Sequence, residues 1–194
     1  MACGSYIESD LGRIKVVLSS GRPTGALRYT GQRIFESDTG RELMYDGVDW
    51  VIMSEPSQSW TPASYSNLTI GNATVAGYSH RSDGHCDFGL KITFGSTTSV
   101  GAGTPTYLTL PYEMHATNPV WDQFSVQFND VSAGQVFGGL GGFYSSTTLL
   151  ALYAQFISGS ASILQHLAAA APFTWATGDI IYVGGRYRMA TRYS

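Results

Sequence analysis

The stretch Thr30–Met53, TGQRIFESDTGRELMYDGVDWVIM, constrains this chain more than any other. At period two it is three short strands joined by two tight turns. Ile34 and Phe35 fall in the first strand, Leu43 and Tyr45 in the second, Trp50 and Ile52 in the third. Asp38-Thr39-Gly40 and Asp46-Gly47 supply the turns, with glycine where a hairpin requires positive φ. A three-stranded meander this small has one apolar face and no second layer of its own. It must therefore be covered, either by copies of itself around a threefold axis or by the rest of the chain. These six apolar residues form an expected collar. Charge reversal at Glu36 or Asp49 is expected to be tolerated if those side chains face solvent, and truncation of Trp50 to be costly if it is buried.

Residues 1–29 read as an arm. Their one apolar burst, Ile14, Val16, Val17 and Leu18 around Lys15, has strand character and ends in SSGRPTG, a loop signal. It is either a frayed leader or an anchor that orders on a partner surface. After the meander, residues 56–62 carry two prolines among polar residues and read as a linker.

From Ser66 onward, strand signals recur about every ten residues, the spacing of a sandwich or barrel. Cys86, Phe88, Leu90, Ile92 and Phe94 alternate with polar residues, as do Phe124, Val126 and Phe128. Gly138-Gly139 and Gly141-Gly142 flank Leu140 and mark a bulged or closely packed strand. Thr148–Ile157 has the Leu/Ala content of a helix but is set among strands, and a buried strand is expected. About eight such segments predict an all-β chain: the arm, the meander of residues 30–55, and a jelly-roll-like antiparallel β-sandwich over 63–194.

Composition narrows the function. Only 13% of the 194 residues are charged, about half the usual share, and the formal charge is -3. Residues 1–55 hold 8 acidic and 6 basic side chains, 14 of the chain's 25. The remainder is nearly neutral. No basic stripe exists for nucleic acid. No apolar run is long enough to span a bilayer, and MACGSYIESDLG lacks the pattern of a secretory leader. Cys3 and Cys86 are expected as free thiols in a chain made in a reducing cytosol.

Catalytic chemistry finds little to use. No G-x-S-x-G elbow occurs, and the body's carboxylates sit at turns and strand ends. The cluster His80-Arg81-Ser82-Asp83-Gly84-His85-Cys86-Asp87 offers metal ligands on paper. Its Asp-Gly is what a hairpin needs, however, and Cys86 and Asp87 fall on opposite faces of one strand. The expectation is no enzyme, no metal and no cofactor. The aromatics exceed what one core requires. Tyr65, Tyr112, Trp121, Tyr144, Trp175 and Tyr187 are read as subunit-interface residues or, alternatively, as a sugar-stacking platform.

The stretch RPTGALRYTGQRIFESDTGRELMYDGVDWVIM resembles a hairpin module common in structural proteins of tailed bacteriophages. Gly31, Gln32, Glu36, Asp38, Thr39, Gly40, Tyr45, Asp46, Gly47 and Trp50 carry the likeness. KITFGSTTSVGAGTPTYLTLP and APFTWATGDIIYVGGRY resemble β domains of the same kinds of protein. The resemblance covers most of residues 22–188. It implies a homotrimer on the virion surface, anchored by its N-terminal arm to a major capsid protein or a tail structural protein. The short arm favours capsid decoration, as a head fibre or minor capsid protein. The alternative is a tail-fibre or tail-tip module that recognises host surface glycans.

Overall fold

The computed structural model describes residues 14–102, 105–115, 124–143, 147–158 and 161–190. The chain is all-β; among these residues the only helical segments are single 3-10 turns at Ser19–Gly21 and Gly25–Leu27. It divides into two units. The first comprises residues 14–56 with Arg81–Gly84, a turn from later in the chain, and the second residues 57–80 and 85–190.

In the first unit, β1 (Lys15–Val17) pairs in parallel with β2 (Arg33–Glu36), which leads into β3 (Arg41–Tyr45) and β4 (Trp50–Ser54) as an antiparallel meander. Its turns use Gly40 at φ 68° and Gly47 at φ 109°, left-handed positions that favour glycine. Ile34, Leu43 and Ile52 form the small core, with Val17 and Trp50 packed against it.

The cover for that core comes from the supposed arm. Residues 14–29 are laced onto the meander. Val17 O accepts from Ser37 N at 2.9 Å, and Asp38 accepts from Ser19 N at 2.9 Å and from Ser19 Oγ at 2.5 Å. Trp50 Nε1 donates to Pro23 O at 3.4 Å, and the Arg28 guanidinium lies 4.8 Å from the centre of the Tyr45 ring. The described part of the arm is therefore a fourth strand and a strap.

Parity also separates the collar residues. Ile34, Leu43, Tyr45 and Ile52 are buried and Trp50 is half-buried, but Phe35 lies on the outer face and is exposed. Asp49 is exposed. Glu36, two residues from Ile34, is fully buried. The solvent-facing condition placed on it is not met.

The second unit begins at Ser57, so most of the expected linker belongs to it. There β5 (Gln58–Ser59) pairs with β8 (Thr74–Ser82), and the Trp60 ring meets Phe88 edge-on at 5.7 Å. Two short strands, β6 (Tyr65–Ser66) and β7 (Leu68–Thr69), precede β8. Next come β9 (His85–Thr93), β10 (Ser99–Val100) and β11 (Thr106–Thr109). Then follow β12 (Phe124–Asp130), β13 (Gln135–Phe143), β14 (Leu149–Ser158), β15 (Ala161–His166) and β16 (Ile180–Arg188).

Within this unit the strand order is β8-β9-β16-β12-β13-β14-β11-β6, with β15 on β14 and a separate β7–β10 ribbon. The pairs nest: β12 with β13, β11 with β14, and β9 with β16, all antiparallel. Nested pairing of this kind is the wrapping of a jelly roll.

One core fills the unit. Every second residue of β9 and β12 points into it, including Cys86, Phe88, Leu90, Ile92, Phe124, Val126 and Phe128. β13 runs in unbroken register with β12, so its glycines do not mark a bulge, and at Gly139 and Gly141 they mark close packing. A Cβ on Gly139 would lie 2.3 Å from Tyr153 O and 2.5 Å from the Phe128 ring. Leu149–Ser158 is a strand despite its helical composition, because β13 pairs with its residues 150–154 and β11 and β15 pair with residues 149–152 and 153–158.

Candidate functional site

Two surfaces stand out, one on each unit. On the first unit, Ile14, Val16 and Leu18 alternate along β1 onto the outer face, where Val16 is in register with Phe35. All four side chains are exposed, Val16 the most at 65%. Leu27, Tyr29 and Val48 add to them. Among the described residues, seven of the twelve exposed large hydrophobics thus lie in residues 14–48. Of the four residues expected to anchor the arm, Ile14, Val16 and Leu18 are on this face, while Val17 turns inward to the small core.

The buried charges of this unit are structural. Glu36 is held by an ion pair with Arg22 and by Thr39 Oγ1, which donates at 2.7 Å. Burial works to raise its pKa. The Arg22 and Thr39 hydrogen bonds outweigh burial and hold the carboxyl below its usual value. Glu55 accepts from Arg81 Nε and Nη2 at 2.5 and 2.7 Å, and Arg41 approaches it at 3.3 Å.

That fork explains the polar cluster at residues 80–87. Arg81 is committed to Glu55, Asp83 takes the positive-φ turn position, and Cys86 is a buried free thiol. Among the described residues, no three His, Cys, Asp or Glu side chains converge. Asp179 is fully buried and caps a loop, accepting from Val131 N at 3.0 Å and Ala176 N at 2.6 Å.

Four of the aromatics singled out in the sequence lie among the described residues, and each packs against the core of the second unit. Tyr187 is buried; its hydroxyl donates to Tyr112 O at 2.8 Å and accepts from Tyr112 N at 3.0 Å. Burial pushes its pKa far up, with lesser contributions from the Cys86 neighbourhood. Phe88, Phe124 and Tyr187 form a ring cluster with centroid separations of 5.4 to 6.1 Å. Trp175 stacks on Phe94 at 4.7 Å and donates to Ala168 O at 3.0 Å. Tyr65 and Tyr112 are half-buried against the same core, and burial raises the Tyr65 pKa. Tyr187, at 1% exposure, has no surface left for an interface or a sugar, whereas Trp175, Tyr65 and Tyr112 are half-buried and keep an exposed part. Trp121 and Tyr144 lie outside the described residues.

The body's outer face carries an aromatic site that the sequence reading missed. β8, β9, β16 and β12 together shape a trough of about 550 Å³. Its floor includes Gly89 and Gly184, which are paired in register, and Tyr78 lies across Gly89. Tyr182 and Lys91 are also paired in register, with the ammonium 5.7 Å from the ring centre. Ser125 and Gln127 complete the lining from β12. Alternation along β9 places Gly89 and Lys91 on one outward face, so part of the signal was in the sequence. The pairing of β9 with a strand some ninety residues away was not.

The fold and surfaces define an all-β, jelly-roll-like protein with an N-terminal strand unit and no helix long and apolar enough to cross a membrane among the described residues. No protein-family model matches the chain, and no curated protein matches it. Among solved structures, it is similar to a fragment of avian reovirus sigmaC, residues 117–326. The two are 12% identical with a TM-score of 0.41, over 88% of this chain and 83% of that one.

Proposed function

We propose that this is a non-enzymatic structural protein of a virion surface, attached through its N-terminal unit and displaying the jelly-roll body as a homotrimer. The observation that carries this reading is the exposed apolar row Ile14, Val16, Leu18 and Phe35. Contiguous apolar surface on a soluble unit marks a contact face. Among the described residues β1 is moreover an edge strand, the kind of element that pairs with a strand of another chain. The phage-like hairpin motif occupies the same unit, which supports a capsid or tail structural protein as the partner. Capsid decoration is the preferred placement, with a tail appendage as the alternative.

Self-association of the body is supported by Ile163 and Leu164 on the flanking strand β15 and by Val131 and Val136 near the β12–β13 turn, all exposed. Three attachment units acting together would turn weak individual contacts into firm attachment through effective concentration.

Deleting residues 1–29 would strip β1 and the strap from the collar, so point changes are the better test. Val16→Asp combined with Leu18→Asp should leave a folded protein of unchanged subunit mass that no longer joins particles. Normal incorporation of that variant overturns the anchoring role, and a monomeric mass in sedimentation equilibrium overturns the trimer.

A further inference from the structure

We propose that the trough on the outer face of β8, β9, β16 and β12 is a binding site for an acidic saccharide. The inference is independent of how the protein is attached, because every residue it uses lies in the second unit.

Three features select the ligand. Gly184 lines the floor where the strand would otherwise present a side chain, so a ring-shaped molecule can approach the backbone there, beside the Tyr78 ring that fills the space at Gly89. Tyr78 sits against Gly89 while remaining 52% exposed, and a Cβ on Gly89 would come within 2.4 Å of its ring. The absence of a side chain at Gly89 thus makes room for a half-exposed tyrosine ring at the edge of the trough. An apolar ring face beside hydroxyl and amide groups is the pairing that a pyranose, with its C–H face and hydroxyl rim, complements.

The rim supplies those polar groups. Ser125 offers a hydroxyl, and Gln127 keeps its carbonyl oxygen as an acceptor while its Nε2 donates to Asn129 Oδ1 at 2.8 Å. The volume lies within the range of small-ligand sites, about 300–1,000 Å³.

Charge decides between a neutral and an acidic sugar. The chain has only two lysines, and one of them stands in this trough. Among the described residues Lys91 has no carboxylate partner within ion-pair distance; its contact is with the Tyr182 ring. Asp87, on the same face of β9 but four residues away, lies 3.9 Å from Arg186. A cation held on an aromatic rim of a nearly neutral body is placed to receive a carboxylate.

The full chain should be titrated by calorimetry with trigalacturonate and, in parallel, with uncharged maltotriose. Trigalacturonate should bind at least tenfold more tightly. Lys91→Gln should remove that preference, and Tyr78→Ala should weaken trigalacturonate at least tenfold. Both side chains are largely exposed, so unchanged melting temperatures should accompany these losses. Gly184→Val, which fills the floor while leaving Tyr78 and Lys91 in place, should block binding. The proposal is overturned if neither sugar binds, if both bind equally to the parent protein, or if the variants bind as the parent does. It is also overturned if citrate binds as tightly as trigalacturonate, since the site would then read charge alone. A drop in oligomeric mass on Tyr78→Ala, without saccharide binding by the parent, would assign the trough to a subunit contact instead.

Discussion

Arg22 and Glu36 form an ion pair in which the carboxylate is completely buried and the guanidinium is about one-third open to water. The pair ties the strap at residues 19–29 to the second strand of the unit, on the face that also holds Ile34. Arg22→Ala leaves a buried carboxylate without its main partner. It should cost about 2–3 kcal/mol, less than the roughly 3–5 kcal/mol for breaking a fully buried pair, because water screens the exposed side of Arg22. Chemical denaturation followed at Trp50 checks this.

The pH dependence follows from the same pair. The pKa of Glu36 is lower folded than unfolded. Its contribution to stability is therefore fully present above the ordinary carboxylate pKa of 4.5 and is lost as pH falls through the lowered folded value. Glu36→Gln should be less stable than the parent at neutral pH, and the gap should narrow as the solution is acidified below that value. Paired thermal melts from neutral to acid pH measure it. A gap that stays constant would mean that the Arg22 pair contributes nothing to folding.

Tyr187 makes a different prediction. Its hydroxyl satisfies both backbone groups of Tyr112, donating to one and accepting from the other. Tyr187→Phe leaves both without that partner and should destabilise the body by about 1–3 kcal/mol with little change in packing. Burial also holds the phenol protonated well above the usual tyrosine range. In an alkaline titration of tyrosinate absorbance, the parent should therefore show one tyrosine that ionises only as the protein unfolds. Tyr187→Phe should remove that late step.

Much of this architecture was legible, and the reasons are particular. The β9 alternation from Cys86 to Phe94 is strict because one face packs on a core and the other meets water, so period two could be read directly. β14 was legible only through its surroundings. Its Leu and Ala favour a helix, and pairing with strands on both sides overrides that preference. Glu36 shows a signal present but unused: its spacing from Ile34 already put it on the inner face. Tyr187 could not be sorted from Tyr78 by counting aromatics. What makes one core and the other surface is the strand parity of each within a sheet whose partners are far apart in sequence. The trough was illegible for the same reason, since its residues come from four strands spanning more than a hundred positions.

Gly139 tests how tightly the body's sheet is packed. Its would-be Cβ meets a backbone oxygen, Tyr153 O, as well as the rigid Phe128 ring, both at well under van der Waals distance. Neither neighbour is the far end of a flexible side chain, so relief requires moving β14 or the aromatic core. Gly139→Ala should therefore destabilise the body by about 1–3 kcal/mol, although alanine is no worse than glycine as a strand former. Gly138→Ala, on the adjacent residue, is the matched control: nothing lies within 4 Å of its Cβ position, and it should be neutral within error. Equal melting temperatures for the two variants would show that the strand is packed less closely than its glycines imply.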